Sequence, residues 1–220
     1  MIAPDKIIRS SRRTIAVCID NFGRVIVRAP KRVDEKRIYD FLAEKQAWIE
    51  EKRALKQSVA CFLPSENLDG YQFLLLGKTC TIRLFDGKGI GFDEENHLLY
   101  LPRDRAKERL VKWLKDNAKR IFTQVTEQKA REMGLTYASV SVSSAKTRWG
   151  TCSADNKIRY TFRLLYAPKE VIEYVVVHEL SHVRYKNHSA LFWREVERFI
   201  PNWKERRKWL KDHGSLMEIF

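Results

Sequence analysis

His178-Glu179-Leu180-Ser181-His182 is the stretch on which the reading of this chain turns. Two imidazoles four residues apart lie one above the other on a helix and can reach a single ion. Glu179 follows the first of them by about 100° around the axis, so its carboxylate points beside such an ion, where a general base belongs. Ile172, Val176, Val177, Leu180 and Val183 make the surrounding helix apolar, as expected of a buried one, and Pro168 is suited to open it. Burial strengthens the electrostatics at an ion and leaves it approachable from one open side.

A metal held by three protein groups keeps a position for water, whose proton a neighbouring carboxylate can take. His188, six residues after His182 and just past Lys186-Asn187, is the expected third ligand. Asn187 is expected to adopt the left-handed conformation that turns the chain back. Glu195, Glu197 and Glu205 on the following helices are acidic rivals. Zinc is the expected ion, although imidazoles also accept nickel, iron and copper. The other two histidines, His97 and His213, stand in contexts that read as exposed and carry no assigned role.

Working outward, Ser189 to Phe199 and Asn202 to Asp212 read as helices divided by Pro201. Before the motif, Ser139 to Ser144 and Ile158 to Phe162 are strand candidates, and Asp104 to Met133 is a long helix stopped by Gly134. Further back, Gln72 to Leu76 and Thr79 to Phe85 flank a Gly77-Lys78 turn, followed by Leu98 to Leu101. Ser58 to Gly70 reads as a connector. A helix from an Asp34 cap to about Lys56 is set by Ile38, Phe41, Leu42, Lys45, Trp48 and Ile49. Alternating Ile15, Val17, Ile19, Val25 and Val27 around Asp20-Asn21-Phe22-Gly23 predict a hairpin. These elements give an α+β fold with a β-rich N-terminal part over residues 1–102 and a metallohydrolase domain over 103–220.

With 220 residues the chain can bury a proper core, and 44% hydrophobic with 11% aromatic residues excludes the composition of disorder. Cys18, Cys61, Cys80 and Cys152 show no CxxC spacing, which argues against a disulfide framework or a cysteine zinc site. No run approaches a membrane span, Met1 to Arg13 lacks a signal-peptide core, and a cytoplasmic protein is expected. A net charge of +14 can attract anionic partners, though basic residues also simply solvate helix faces.

Several segments together resemble one family. They are Arg9 to Ile15 with Val25 to Pro30, then Arg148-Trp149-Gly150-Thr151-Cys152-Ser153, then Val176 to His182. Asn187-His188-Ser189, Phe192-Trp193, Pro201-Asn202-Trp203 and Arg207-Lys208-Trp209-Leu210 complete the pattern. Across nearly its whole length the chain resembles the YgjP-like metallopeptidases, relatives of the WLM and SprT-like zinc metallopeptidases. The resemblance implies a zincin-like α+β catalytic domain, a metal at His178, His182 and His188, and Glu179 as catalytic glutamate. It also implies two candidate activities, peptide hydrolysis and pyrophosphohydrolysis of nucleoside triphosphates such as UTP. The histidine spacing equals that of metzincins, but Tyr185 stands where they carry glycine, and the only Met after the site is Met217.

A zinc-dependent metallopeptidase is the main expectation. An extended peptide would then dock along an edge strand, for which Ile158 to Phe162 is the candidate. A nucleotide would instead need cations for its phosphates and an aromatic face, which Lys146, Arg148, Trp149 and Arg163 could supply. Arg148 packed over a buried Trp149 is an equally simple structural role for that pair. Cys152 reads as a small packed residue. A third possibility is a basic nucleic-acid-binding module with a structural metal, using the basic N-terminal stretch from Arg9 to Arg32, Lys31 included, and the lysines and arginines of the tail from Lys204 to Lys211.

Overall fold

The computed structural model describes residues 2–20, 23–60 and 67–219. Asn21 and Phe22 of the expected hairpin turn, Cys61, and residues 61–66 of the expected connector lie outside them. The chain forms two compact units, residues 1–63 and 64–220. The division falls earlier than the 102/103 transition read from the sequence, so the second group of strands belongs with the HExxH helix.

In the first unit, β1 (Lys6–Ser10), β2 (Ala16–Ile19) and β3 (Val25–Pro30) form a sheet in the order β1-β3-β2. The antiparallel β2/β3 pair, with Val17 opposite Val27, is the expected hairpin. β1 pairs parallel to β3 and was not anticipated, because its residues show no clear alternation. Val25, Val27 and Ala29 project from one face of β3 and are fully buried with Ile38, Leu42 and Ile49. The helix expected from Asp34 is two helices, α1 (Glu35–Glu44) and α2 (Gln46–Ala60). Asp34 does cap α1, its carboxylate accepting from the Arg37 amide at 2.9 Å. In a continuous helix Lys45 would join Ile38, Leu42 and Ile49 on the buried stripe; the break leaves Lys45 exposed instead.

The second unit opens with β4 (Gln72–Leu75) and β5 (Lys78–Phe85), joined by Leu76 and Gly77 with φ of 53° and 80°. Two consecutive positive φ values make the tight hairpin turn whose twist matches its strands. β6 (Gly91–Asp93) and β7 (Leu98–Pro102) complete a sheet ordered β4-β5-β7-β6. α3 (Ala106–Met133) follows and buries Leu110, Leu114, Ala118, Phe122, Thr126 and Ala130, a strict four-residue repeat. Gly134 ends it in the left-handed conformation.

β8 (Ser139–Ser143), β9 (Gly150–Cys152) and β10 (Lys157–Thr161) form a third sheet ordered β8-β10-β9. This corrects the edge-strand expectation for Ile158 to Phe162. β10 is central, because Gly150 to Cys152, in the segment between the two expected strands, form β9 and cover one of its edges. A short 3-10 turn, Phe162–Tyr166, leads into α4 (Lys169–Arg184), which carries the HExxH motif behind Pro168. The β4–β5 turn is seated against the start of α4: the Leu76 amide donates to Leu165 O at 2.7 Å, and a side chain on Gly77 would run into Pro168 at 2.9 Å. These contacts explain why β4 and β5 belong to this unit. α5 (Ala190–Phe199) and α6 (Trp203–Asp212) follow. No helix among the described residues is long and apolar enough to cross a membrane.

Candidate metal centre

α4 is buried along most of its surface by Val171, Ile172, Tyr174, Val175, Val176, Val177 and Leu180. One strip remains accessible, and His178 and His182 lie on it half-buried. The helix ends at Tyr185 in extended backbone, φ −125° and ψ 105°, so no glycine is required there. Asn187 is not left-handed, contrary to the sequence expectation. Its side-chain oxygen accepts from the Ser189 amide at 3.2 Å, and this local bond turns the chain without a positive φ. Ser189 then caps α5 by accepting from the Phe192 amide. Between these two bonds His188 is brought back over α4.

Ligand nitrogens of His178, His182 and His188 all lie within 4.8 Å of one another. Nε2 of His188 and Nε2 of His178 are 3.2 Å apart. Two nitrogens at about 2.0–2.1 Å from one tetrahedral ion would be separated by about 3.3 Å, so the spacing fits a shared metal. His182 Nδ1 lies 3.0 Å from Tyr185 O, where it donates as N–H and leaves Nε2 as the lone-pair nitrogen. Phe192, fully buried, stands under the cluster with its ring 4.9, 4.5 and 4.8 Å from those of His178, His182 and His188. The acidic rivals are elsewhere: Glu195 is buried in an ion pair with Arg184 at 2.6 Å, and Glu197 and Glu205 are exposed and outside the cluster.

Glu179 is 5% exposed, and among the described residues no group donates a hydrogen bond to its carboxylate. Burial pushes its acid up to about 8. Gly150 of β9 passes directly over it; a Cβ built on Gly150 would lie 2.6 Å from Oε1 and 2.8 Å from Cγ. His178 is pushed down to about 3, chiefly by burial and then by the neighbouring imidazoles and Arg207, and burial also lowers His182. Both imidazoles are therefore neutral near pH 7, the state in which they bind metal.

These shifts give opposing slopes to the stability of the metal-free protein. For Glu179, raised from an ordinary 4.5, the contribution is whole below pH 4.5 and is lost as pH climbs to about 8, because only the unfolded chain releases its proton in that window. For His178, lowered from 6.5, it is whole above pH 6.5 and is lost as pH falls towards 3. Urea unfolding of chelator-treated protein is thus expected to show Glu179→Gln gaining on the parent between pH 5 and 8, by a few kcal/mol at the upper end. Parallel curves for the two proteins would contradict the burial argument.

The other expected site residues divide. Lys146 and Arg148 are exposed, and Arg148 lines a cavity of about 190 Å³ with Ser143, Thr151, Arg159 and Thr161 that contains none of the histidines. Trp149 is half-buried, and its carbonyl accepts from the Thr161 amide at 3.0 Å. Arg163 departs from expectation: it is 2% exposed and donates to Ile219 O at 2.9 Å and Ser144 O at 2.8 Å. Its guanidinium neutralises no substrate because it joins backbone segments inside the core. Cys152 is half-buried with a thiol raised by burial, consistent with a packed residue. Neither remaining histidine is exposed as read: His97 is half-buried at φ 51°, and His213 stacks on Trp209 at 4.0 Å. Sequence reasoning gave Gly150 and Phe192 no role; both stood in the quoted motifs, but neither carries chemistry of its own.

No curated protein matches the chain. Among solved structures, the metallopeptidase zymogen abylysin of Pyrococcus abyssi aligns at 25% identity, covering 41% of this chain and 92% of that one, with a TM-score of 0.38. The zymogen jannalysin of Methanocaldococcus jannaschii aligns at 17% identity over 36% of this chain and 80% of that one, with a TM-score of 0.33. Residues 13–213 match the family model described as YgjP-like, metallopeptidase domain, a span that includes the helix, the returning loop and the strand over Glu179. The chain therefore belongs to the YgjP-like metallopeptidase family.

Proposed function

We propose that His178, His182 and His188 hold one divalent cation, zinc being favoured by an all-imidazole set of three, and that Glu179 is the general base of a peptide-bond hydrolysis. The observation that carries this reading is the convergence of three imidazole nitrogens within 4.8 Å beside a buried, unbonded carboxylate. A divalent ion so held supplies Lewis-acid activation of water and of the scissile carbonyl. Glu179 accepts the proton of the attacking water and passes it to the departing amine. Its low-dielectric pocket, closed by Gly150, raises its basicity for that task. His182 is kept in one tautomer by Tyr185 O, and Phe192 holds the imidazoles in mutual orientation.

An extended peptide has an edge available on β9, whose Gly150 overlies Glu179, so pairing there would lay the substrate past the base. The nucleotide reading loses Arg163 from its set of cations, and the binding-module reading lacks a fourth metal ligand among the described residues. Metal-loaded protein assayed in parallel on unfolded polypeptides and on nucleoside triphosphates is expected to cleave the former, with that turnover absent from Glu179→Gln. Triphosphate hydrolysis alone, lost in the same variant, would replace the peptidase assignment.

A further inference from the structure

The histidine cluster continues outward into an aromatic stack that the hydrolytic reading does not use. Trp193 of α5 lies 5.6 Å from the His188 ring at 22° and 5.8 Å from that of His178. On its outer side Trp193 stacks with Trp203 of α6 at 4.3 Å and 19°. Arg207, one helical turn beyond Trp203 and therefore on the same face, places its guanidinium 5.3 Å over the Trp193 ring. The guanidinium is thus one indole away from two of the candidate metal ligands.

Two features separate Arg207 from the other cations near the site. Lys186, on the His182 side, is occupied by Ser153 O at 3.2 Å and Asn156 Oδ1 at 2.6 Å, tying the loop after α4 to the β9–β10 turn. Arg207 is exposed and makes no hydrogen bond or ion pair with any described residue. A fixed cation at that place repels a divalent ion unless an anion joins them, so the position suits a ligand carrying negative charge. A guanidinium placed over an indole is held by the ring while its donors stay free for a planar, two-oxygen acceptor. In a polypeptide that acceptor is a carboxylate.

We propose that Arg207, held on the Trp193–Trp203 stack beside the histidine cluster, binds a carboxylate of the peptide substrate and selects chains with an acidic side chain or a free C-terminus near the cleaved bond. The proposal rests on the peptidase reading above.

The test uses full-length, metal-loaded protein and peptides built around one bond found to be cleaved in an unfolded polypeptide. They carry Glu, Gln or Lys at each neighbouring position, each with a free or an amidated C-terminus. Carboxylate-bearing peptides are expected to show kcat/KM about five- to tenfold above their neutral isosteres, a ratio that shrinks as salt is raised. A preference that follows Glu over Gln identifies the side chain, and one that follows the free over the amidated end identifies the terminus. Arg207→Ala should bring the ratio to about one, Arg207→Lys should restore part of it, and Arg207→Glu should turn the preference towards Lys, each with one metal per chain by elemental analysis. A ratio near one in the parent, or one unchanged in Arg207→Ala, overturns the carboxylate site and leaves the peptidase reading standing. Turnover of nucleoside triphosphates with no peptide cleaved overturns both.

Discussion

Glu179→Gln is expected to retain one metal per chain and to lose peptide hydrolysis by about 10²- to 10⁴-fold, the usual contribution of a positioned general base. The amide has the size and shape of the carboxyl group it replaces, so the gap under Gly150 stays filled. Burial already favours the neutral acid at this position, and the substitution asks the core to accept no new charge. Only the ability to take a proton disappears. His182→Ala forms the contrast: it removes one of three nitrogens lying within 4.8 Å, and the metal should be lost along with activity. Elemental analysis beside kcat separates the two variants, and a Glu179→Gln protein hydrolysing peptides at the parent rate would remove Glu179 from the mechanism.

Gly150→Ala should be nearly as damaging although the side chain gained is a single methyl group. That methyl would sit 2.6 Å from Oε1, 2.8 Å from Cγ and 2.9 Å from Cδ of Glu179, closer than real contacts allow. Either the carboxylate swings aside or β9 lifts from the helix. Displacing a reacting group by about 1 Å can cost about 10²-fold in rate, and forcing a methyl into a filled space costs about 1–3 kcal/mol in stability. The expected result is a kcat lower by about two orders of magnitude with metal content intact. In the Glu179→Gln background the same change should lower activity little further, because both substitutions act on one carboxylate. Independent, multiplicative losses would show that Gly150 acts on something other than Glu179.

The packing around the site is the reason large effects are expected of these two substitutions. Phe192 and Gly150 leave little free space around the histidines and Glu179, one by filling it with a ring and the other by having no side chain. Arg184 and Glu195 join α4 to α5, while Lys186 joins the loop after α4 to the β9–β10 turn. The loop carrying His188 is therefore anchored before and after the ligand, which limits how far it can drift when no metal is present.

The periodic parts of the chain could be read directly. HExxH on an apolar helix, the alternation in β3, the Asp34 cap and the Gly134 stop all follow from local rules of spacing and backbone conformation, and each is found where those rules put it. Local rules fail where a residue's surroundings come from distant segments. The break between α1 and α2 falls at Lys45, which a continuous helix would have set on the stripe of Ile38, Leu42 and Ile49, and β9 takes the edge that β10 was expected to expose because strand order depends on pairing between remote segments. Arg163 looked like any other cation until the fold buried it between Ser144 O and Ile219 O. Residue types and spacing pointed to the candidate metal centre, since metal ligation needs particular atoms at a particular helical period. Which cations face solvent, which strand offers an edge and why position 150 must lack a side chain were decided by packing, because close approach between segments far apart in the chain leaves no periodic trace in either of them.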